Sequence, residues 1–166
     1  MTLRRISVED LHVRVEWMNN PHIYQSMHYE VPVNLEKTLQ WYTKNADSSS
    51  RFDVVFEEQG QIVAMGGLTG IDSILNKAEL YIFVDPDLHS KGTGTRATRL
   101  LCRYGFESLG LAKIVLVTND SNIGAQKVYE KVGFSLEGRM RREAVVNNRF
   151  EDRLYYGMFK EELIIE

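Results

Sequence analysis

The order of hydrophobic patterns along this chain of 166 residues predicts an α/β protein, a mixed sheet with helices packed on it. Three observations carry that reading. Three strand-like runs follow one another between residues 52 and 84, as antiparallel hairpin pairing requires. Helix-like and strand-like segments then alternate singly as far as residue 132, which indicates a parallel stretch in the middle of the sheet. A long β pattern folded about Asn147-Asn148 closes the chain as a hairpin.

Element by element, residues 2–6 read as a short strand. Ser7 followed by Asp10 resembles a capping box, and Leu11, Val15 and Met18 then fall at helical spacing until Asn19-Asn20-Pro21 closes the helix. A second helix starts at Asn34, with Leu35, Leu39 and Tyr42 on one face. Residues 52–56 and 62–68 are strands joined by a turn at Gln59-Gly60, and residues 78–84 form another, stopped by Asp85-Pro86. A helix over 93–109 places Ala97, Leu100, Leu101 and Tyr104 on one stripe, with Arg96, Arg99, Arg103 and Glu107 opposite. Residues 113–118 are a strand, and 122–132 a helix capped by Asn122 and ended by Gly133. The hairpin runs over 135–146 and 149–159.

Composition bounds the function. With 20 Lys plus Arg against 23 Asp plus Glu, the net charge is -3, which argues against a dedicated nucleic-acid or anionic-membrane binder. Cys102 is the one cysteine, so the fold uses no internal disulfide and suits a reducing, cytoplasmic setting. A chain this size buries about 68–70% of its unfolded surface and needs no staples. No signal peptide and no apolar run of membrane-spanning length is expected. His12, His22, His28 and His89 show no metal-ligand spacing, so no metal is expected.

The most informative local feature is Lys91-Gly92-Thr93-Gly94-Thr95-Arg96-Ala97, set between a strand and a helix. Glycines let backbone N–H groups approach a ligand, and the helix that follows turns its positive dipole end to the same place, which suits phosphate. Lys91 and Arg96 add charge. Three nucleotide readings compete. Gly105 and Gly110 have P-loop spacing, but Leu111-Ala112 follows where Lys-Ser/Thr is needed. A Rossmann unit has its glycines directly after a strand, whereas Gly92 stands eight residues beyond Val84, and the chain leaves no room for a second nucleotide half. The third is a coenzyme A pyrophosphate loop.

Here the residues point to a family. His89-Ser90-Lys91-Gly92-Thr93-Gly94 resembles the [QR]-x-x-G-x-[GA] signature of the GNAT superfamily of acetyl-CoA-dependent N-acetyltransferases, with His89 where Gln or Arg is usual. Asn122, Ala125, Tyr129, Gly133 and Phe134 match every position of that family's N-x-x-A-x-x-x-Y-x-x-x-G-F element. The resemblance runs from about residue 6 to residue 159. It is closest to the branch with RimJ/RimL-like protein N-terminal acetyltransferases, spermidine acetyltransferases and certain amino-sugar acetyltransferases.

The resemblance implies one N-acetyltransferase domain over residues 1–166, with a mostly antiparallel sheet of about seven strands and helices on both faces. It implies that acetyl-CoA binds through His89, Ser90, Lys91, Gly92, Thr93, Gly94, Thr95 and Arg96, with Asn122 touching it as well as capping a helix. Backbone groups of Ile82, Phe83 and Val84 would hold the acetyl and pantetheine units. Tyr129 would be the general acid for the departing thiolate, and Glu79 the base for the amine, directly or through water. Outside the family pattern, Tyr129 reads as a core aromatic and Glu79 as a solvated strand carboxylate. Acceptor-side walls would come from the first helices and their loop, with Tyr29, Glu30 and Trp41 as candidate substrate contacts among Trp17, Tyr24, Met27, His28, Glu36 and Tyr42.

The expected acceptor is a primary amine of a small molecule, polyamine or amino sugar; a peptide N-terminus stays open. A silent acyl-CoA-binding protein and a small NAD-binding protein are the readings from other classes. Neither nucleic acid nor membrane is an expected partner, and a homodimer is the expected oligomer.

Overall fold

The computed structural model describes residues 1–88 and 92–165. In chain order these form β1 (Thr2–Arg5), α1 (Leu11–Met18), α2 (Pro21–Tyr24), α3 (Leu35–Asn45), β2 (Arg51–Glu58), β3 (Gln61–Asp72) and β4 (Lys77–Val84). Then come α4 (Thr93–Glu107), β5 (Lys113–Asn119), α5 (Ile123–Val132), β6 (Ser135–Val146) and β7 (Arg149–Phe159). One sheet of seven strands results, in the order β1-β2-β3-β4-β5-β7-β6. Only β4 and β5 pair in parallel; every other neighbouring pair is antiparallel.

The turns explain the antiparallel register. Gln59 (φ 52°) and Gly60 (φ 78°) both take positive φ between β2 and β3, as do Asn147 (φ 49°) and Asn148 (φ 60°) between β6 and β7. Positive φ at both central residues gives the turn whose twist matches that of paired strands.

Side-chain alternation divides the core into two layers. Val54, Phe56, Leu68, Ala78, Leu80, Ile114, Leu116, Leu154 and Met158 face α4 and α5, meeting Ala97, Leu101, Phe106, Tyr129 and Val132. Val55, Met65 and Phe83 face the other way and meet Leu11, Trp17 and Ile23 from the first two helices. Gly105 lets α4 lie close to the sheet: a methyl there would stand 3.0 Å from both Ile114 and Leu68. Cys102 is buried beside this contact as a small apolar residue.

Two local expectations need correction. Asn19-Asn20-Pro21 ends α1, but it also starts α2, because Asn20 accepts from His22 N and Pro21 occupies the first turn, where its missing N–H costs nothing. On α3 the inward residues are Thr38, Trp41 and Tyr42, whereas Leu35 and Leu39 are 51% and 44% exposed. The helix is rotated because Trp41 is its largest apolar surface and lies against the guanidiniums of Arg14 and Arg51. No helix among the described residues is long and apolar enough to cross a membrane.

The N-terminal segment is held by one buried carboxylate. Asp10 accepts from the Ser7 N–H at 2.7 Å, the Ser7 hydroxyl at 3.0 Å and both Arg4 amines at 2.8 and 2.9 Å. Burial works against its charge, but the hydrogen bonds from Arg4 and Ser7 outweigh burial and hold the carboxyl below the usual carboxylate range. A depressed carboxylate contributes stability above its unfolded value of about 3.9 and loses it as pH falls through the folded value. Asp10→Asn is therefore expected to cost about 1–3 kcal/mol at neutral pH and progressively less below about pH 4. Urea unfolding across that range measures the difference; an equal loss at every pH would show that the charge is not the stabilising element.

Candidate active site

The site begins where the two parallel strands part. Their ladder pairs Lys77 with Lys113, Ala78 with Ile114 and Glu79 with Val115, and then stops. Both strands nevertheless continue, β4 to Val84 and β5 to Asn119. Each is held on its outer side, since Val84 still pairs with Ala64 on β3 and Asn119 with Arg153 on β7. The edges facing each other across the gap carry backbone groups with no strand partner. Unpaired backbone N–H and C=O groups are costly unless water or a ligand meets them. Ile82, Phe83 and Val84 line this gap on the β4 side, as a strand-like chain of amides such as pantetheine needs.

Two helix starts stand at the wide end of the gap. Gly92 caps α4 with φ +74°, a conformation that favours glycine, and Thr93 behind it is buried. Gly94 packs near Val84 and Val128, where a methyl would meet atoms at 3.6 and 3.8 Å, ordinary contact distances. Alanine would therefore fit at 94, whereas 92 needs glycine. Thr95 is half-buried and Arg96 exposed. The Arg96 guanidinium meets Glu58 on β2 at 2.9 and 3.0 Å, so part of its charge is already answered. His89, Ser90 and Lys91 lie outside the described residues. Asn122 caps α5 as expected, its side chain accepting from Ala125 N at 3.2 Å.

Tyr129 and Glu79 stand on opposite faces of the sheet. Tyr129 belongs to the α4–α5 layer, 8% exposed, with its ring 5.9 Å from Phe134 and 6.2 Å from Tyr156. Burial pushes its phenol up to about 12, with a smaller contribution from neighbouring Cys102, so it is in the proton-donor form throughout the physiological range. Glu79 alternates with buried Ala78 and Leu80, shares its face with Tyr81 and Phe83, and is exposed. A thioester threaded between β4 and β5 would thus have a phenol on one side and a carboxylate on the other.

The face carrying Glu79 is covered by α1, α3 and the loop before α3. Tyr29 donates to the Met18 carbonyl at 2.8 Å, and burial raises its phenol to about 12. Trp41 lies under two guanidiniums, Arg14 at 4.5 Å and Arg51 at 5.0 Å from its centroid. Glu30 is exposed and makes no ion pair among the described residues. A groove of about 500 Å³ between Arg5, Trp41, Asn45 and Asp53 borders this region.

Several residues here escaped the sequence reading. Asp53, Gly67 and Tyr81 form one row across β2, β3 and β4. A methyl on Gly67 would stand 2.8 Å from the Tyr81 ring, so glycine lets that ring lie across the strand. The Tyr81 hydroxyl thereby donates to Asp53 at 2.5 Å, while Arg51 grips the same carboxylate at 2.6 and 2.8 Å. Arg14 is buried above Tyr81 and Phe83. On the β5 side, His28, which the sequence reading did include in the acceptor wall, is 3.1 Å from the amide oxygen of buried Asn119, and desolvation together with the Arg153 charge lowers its affinity for a second proton. The signal for Arg14 and Asp53 was present in the sequence: Arg14 stands three residues after Leu11 on the apolar stripe of α1, and Asp53 interrupts an apolar run. A charge in such a place requires a partner.

Residues 1–135 match the family model described as "Acetyltransferase (GNAT) domain". The spermidine N(1)-acetyltransferase of Escherichia coli (strain K12) is 28% identical over 164 residues, covering 99% of this chain and 88% of that protein. The enzyme of that name from Vibrio cholerae (strain ATCC 39315) is 30% identical over 159 residues, covering 93% and 91%. Among solved structures, the Vibrio cholerae spermidine N-acetyltransferase in complex with CoA and spermine superposes with a TM-score of 0.92 at 25% identity, covering 97% of this chain and 96% of that one. Family model, full-length relatives and a shared fold agree: the chain belongs to the GNAT family and is an acetyl-CoA-dependent N-acetyltransferase.

Proposed function

We propose that the whole chain is one catalytic domain moving the acetyl group of acetyl-CoA directly to the primary amine of a small molecule. The observation that carries this is the end of the β4–β5 ladder at Glu79 and Val115, in a sheet that has Tyr129 packed on one face and Glu79 on the other. Acetyl-CoA would lie with its pyrophosphate at 89–96 and its pantetheine along Ile82, Phe83 and Val84. Glu79, directly or through a water, takes the proton from the ammonium. The free amine attacks the thioester carbonyl, forming the N–C bond, and the C–S bond breaks as the tetrahedral intermediate collapses. Tyr129 gives its proton to the departing sulfur, and the proton lost by the new amide nitrogen restores the balance through solvent. Alignment of the two reactants supplies much of the acceleration, about 7–11 kcal/mol for well-oriented pairs.

Polyamines are the acceptor class that the Escherichia coli and Vibrio cholerae relatives support, since both are spermidine N(1)-acetyltransferases matched over nearly their full length. An amino sugar is the second reading. It is supported by the polar and aromatic residues Tyr29, Trp41 and Tyr81 with Arg14 on this face, a lining suited to a hydroxyl-rich acceptor. We also infer a cytoplasmic homodimer, supported by edge strand β6, which leaves Leu136, Met140 and Val145 more than half exposed. Sedimentation equilibrium is expected to return twice the chain mass; a monomer at micromolar concentration would overturn the dimer.

Tyr129→Phe is expected to lower kcat by about 100-fold with little change in acetyl-CoA affinity. Because the phenol holds its proton to about 12, the loss should be uniform from pH 6 to pH 10. Unchanged single-turnover rates would remove Tyr129 from the chemistry. Glu79→Gln is expected to reduce kcat/KM for the amine on a similar scale, and full activity in that variant would leave the carboxylate as surface charge. Release of CoA across spermidine, spermine, glucosamine and an unblocked peptide tests the acceptor class. Activity confined to the peptide would overturn the small-molecule reading.

A further inference from the structure

The face of the sheet that would receive the acceptor holds two arginines, Arg14 and Arg153, that no carboxylate answers among the described residues. Arg14 is 7% exposed, with its guanidinium 4.5 Å from the Trp41 centroid, 5.5 Å from Phe83 and 5.6 Å from Tyr81. Its one side-chain hydrogen bond among the described residues is a long contact of 3.4 Å to the Tyr81 hydroxyl. The guanidinium offers five N–H donors, and those left over are not sealed from solvent. Beyond that phenol lies Asp53, already gripped by the fork of Arg51. The one carboxylate thus answers Arg51 and not Arg14, and the cluster keeps a positive charge.

Arg153 stands on the other wall. It pairs with Asn119 across β5 and β7 and so shares the acceptor face. Its Nε is buried with no hydrogen-bond partner, and its charge bears on the His28 ring. Other arginines of the fold do find carboxylates. Arg4 is answered by Asp10 and Glu57, Arg96 by Glu58, and Arg139 by Asp120 and Asp152. A buried cation resting on aromatic faces recovers only part of its lost hydration. Arginine is also the side chain best shaped to grip a phosphate or carboxylate through two parallel hydrogen bonds.

We propose that the acceptor amine carries an anionic group, a phosphate or a carboxylate, which Arg14 receives above Tyr81 and Phe83 while the amine reaches the gap beside Glu79. Arg153 reinforces the positive potential from the β7 side. Trp41 and Tyr81 hold the Arg14 guanidinium in place, and Arg51 keeps Asp53 from neutralising it. An acceptor that is cationic throughout meets repulsion at the same point. This inference rests on the small-molecule reading and narrows it to amines with a negative substituent.

The test compares matched amines that differ in one charged group: glucosamine 6-phosphate against glucosamine, and 5-aminopentanoate against 1,5-diaminopentane, with spermidine alongside. The wild-type protein is expected to favour the anionic member of at least one pair by about tenfold or more in kcat/KM. The pair that responds tells phosphate from carboxylate. Arg14→Gln is expected to lower kcat/KM for the favoured anionic amine at least about tenfold more than for its uncharged or cationic partner, with Arg14→Lys retaining part of the preference. Should Arg14→Gln fail to fold, the wild-type preference and the same comparison in Arg153→Gln decide the matter. Spermidine turned over in preference to both anionic amines would overturn the inference and leave polyamine acetylation standing. A loss in Arg14→Gln shared equally by both members of a pair would reduce Arg14 to a packing residue. CoA release with none of these amines would overturn the small-molecule reading, and this inference with it.

Discussion

Everything about this site depends on a parallel pairing that is made for three residue pairs and then abandoned. Two strands can separate within a sheet only if each is secured from its other side. Here β4 stays on β3 as far as Val84 and β5 stays on β7 as far as Asn119, so neither becomes a loose edge. The sheet is in effect two antiparallel halves joined by a short seam. What holds the halves together beyond the seam is the layer of α4 and α5, whose Leu101, Phe106 and Val132 pack against Leu80 from one half and Leu116 and Leu154 from the other.

The two faces of the gap consequently differ. On the α4–α5 face, a continuous apolar core spans both halves and buries Tyr129, and its desolvation keeps the phenol protonated. On the other face, the smaller core joins α1, α2 and α3 to β2, β3 and β4. The contact from this face across to β5 is polar, through His28 and Asn119. One side of the gap is therefore dry and fixed, and the other is lined with polar and aromatic groups. That asymmetry suits a donor whose thioester must be shielded and an acceptor that must come and go.

Charge placement follows the same division. At the rim of the fold Arg4, Arg96 and Arg139 are tied into ordinary ion pairs. On the acceptor face Asp53 holds Arg51 and the Tyr81 hydroxyl at once, and Arg14 is left resting on rings. Gly67 makes this arrangement available, because any side chain there would lift Tyr81 off its strand. A glycine inside a strand, a charge inside an apolar run and a tyrosine two strands away thus form one device.

Local chemistry in the sequence determined a great deal. The Asn34 and Asn122 caps, the turns at Gln59-Gly60 and Asn147-Asn148, and the stripe on α4 are each set by neighbours within a few residues, so they were legible without a structure. The glycine loop and the Asn122 to Phe134 element marked the family for the same reason. The rotation of α3 was not legible, since Leu35 and Leu39 satisfy helical spacing as well as Trp41 does and only cation–π packing with Arg14 and Arg51 selects the inward face. The seam's end at Glu79 and Val115, the row from Asp53 to Tyr81, and the unanswered charge of Arg14 join residues far apart in the chain. Sequence alone fixes which groups exist and what local geometry they take. Which face each one meets, and whether a charge finds its counterpart, is decided only when strands distant in sequence are brought side by side.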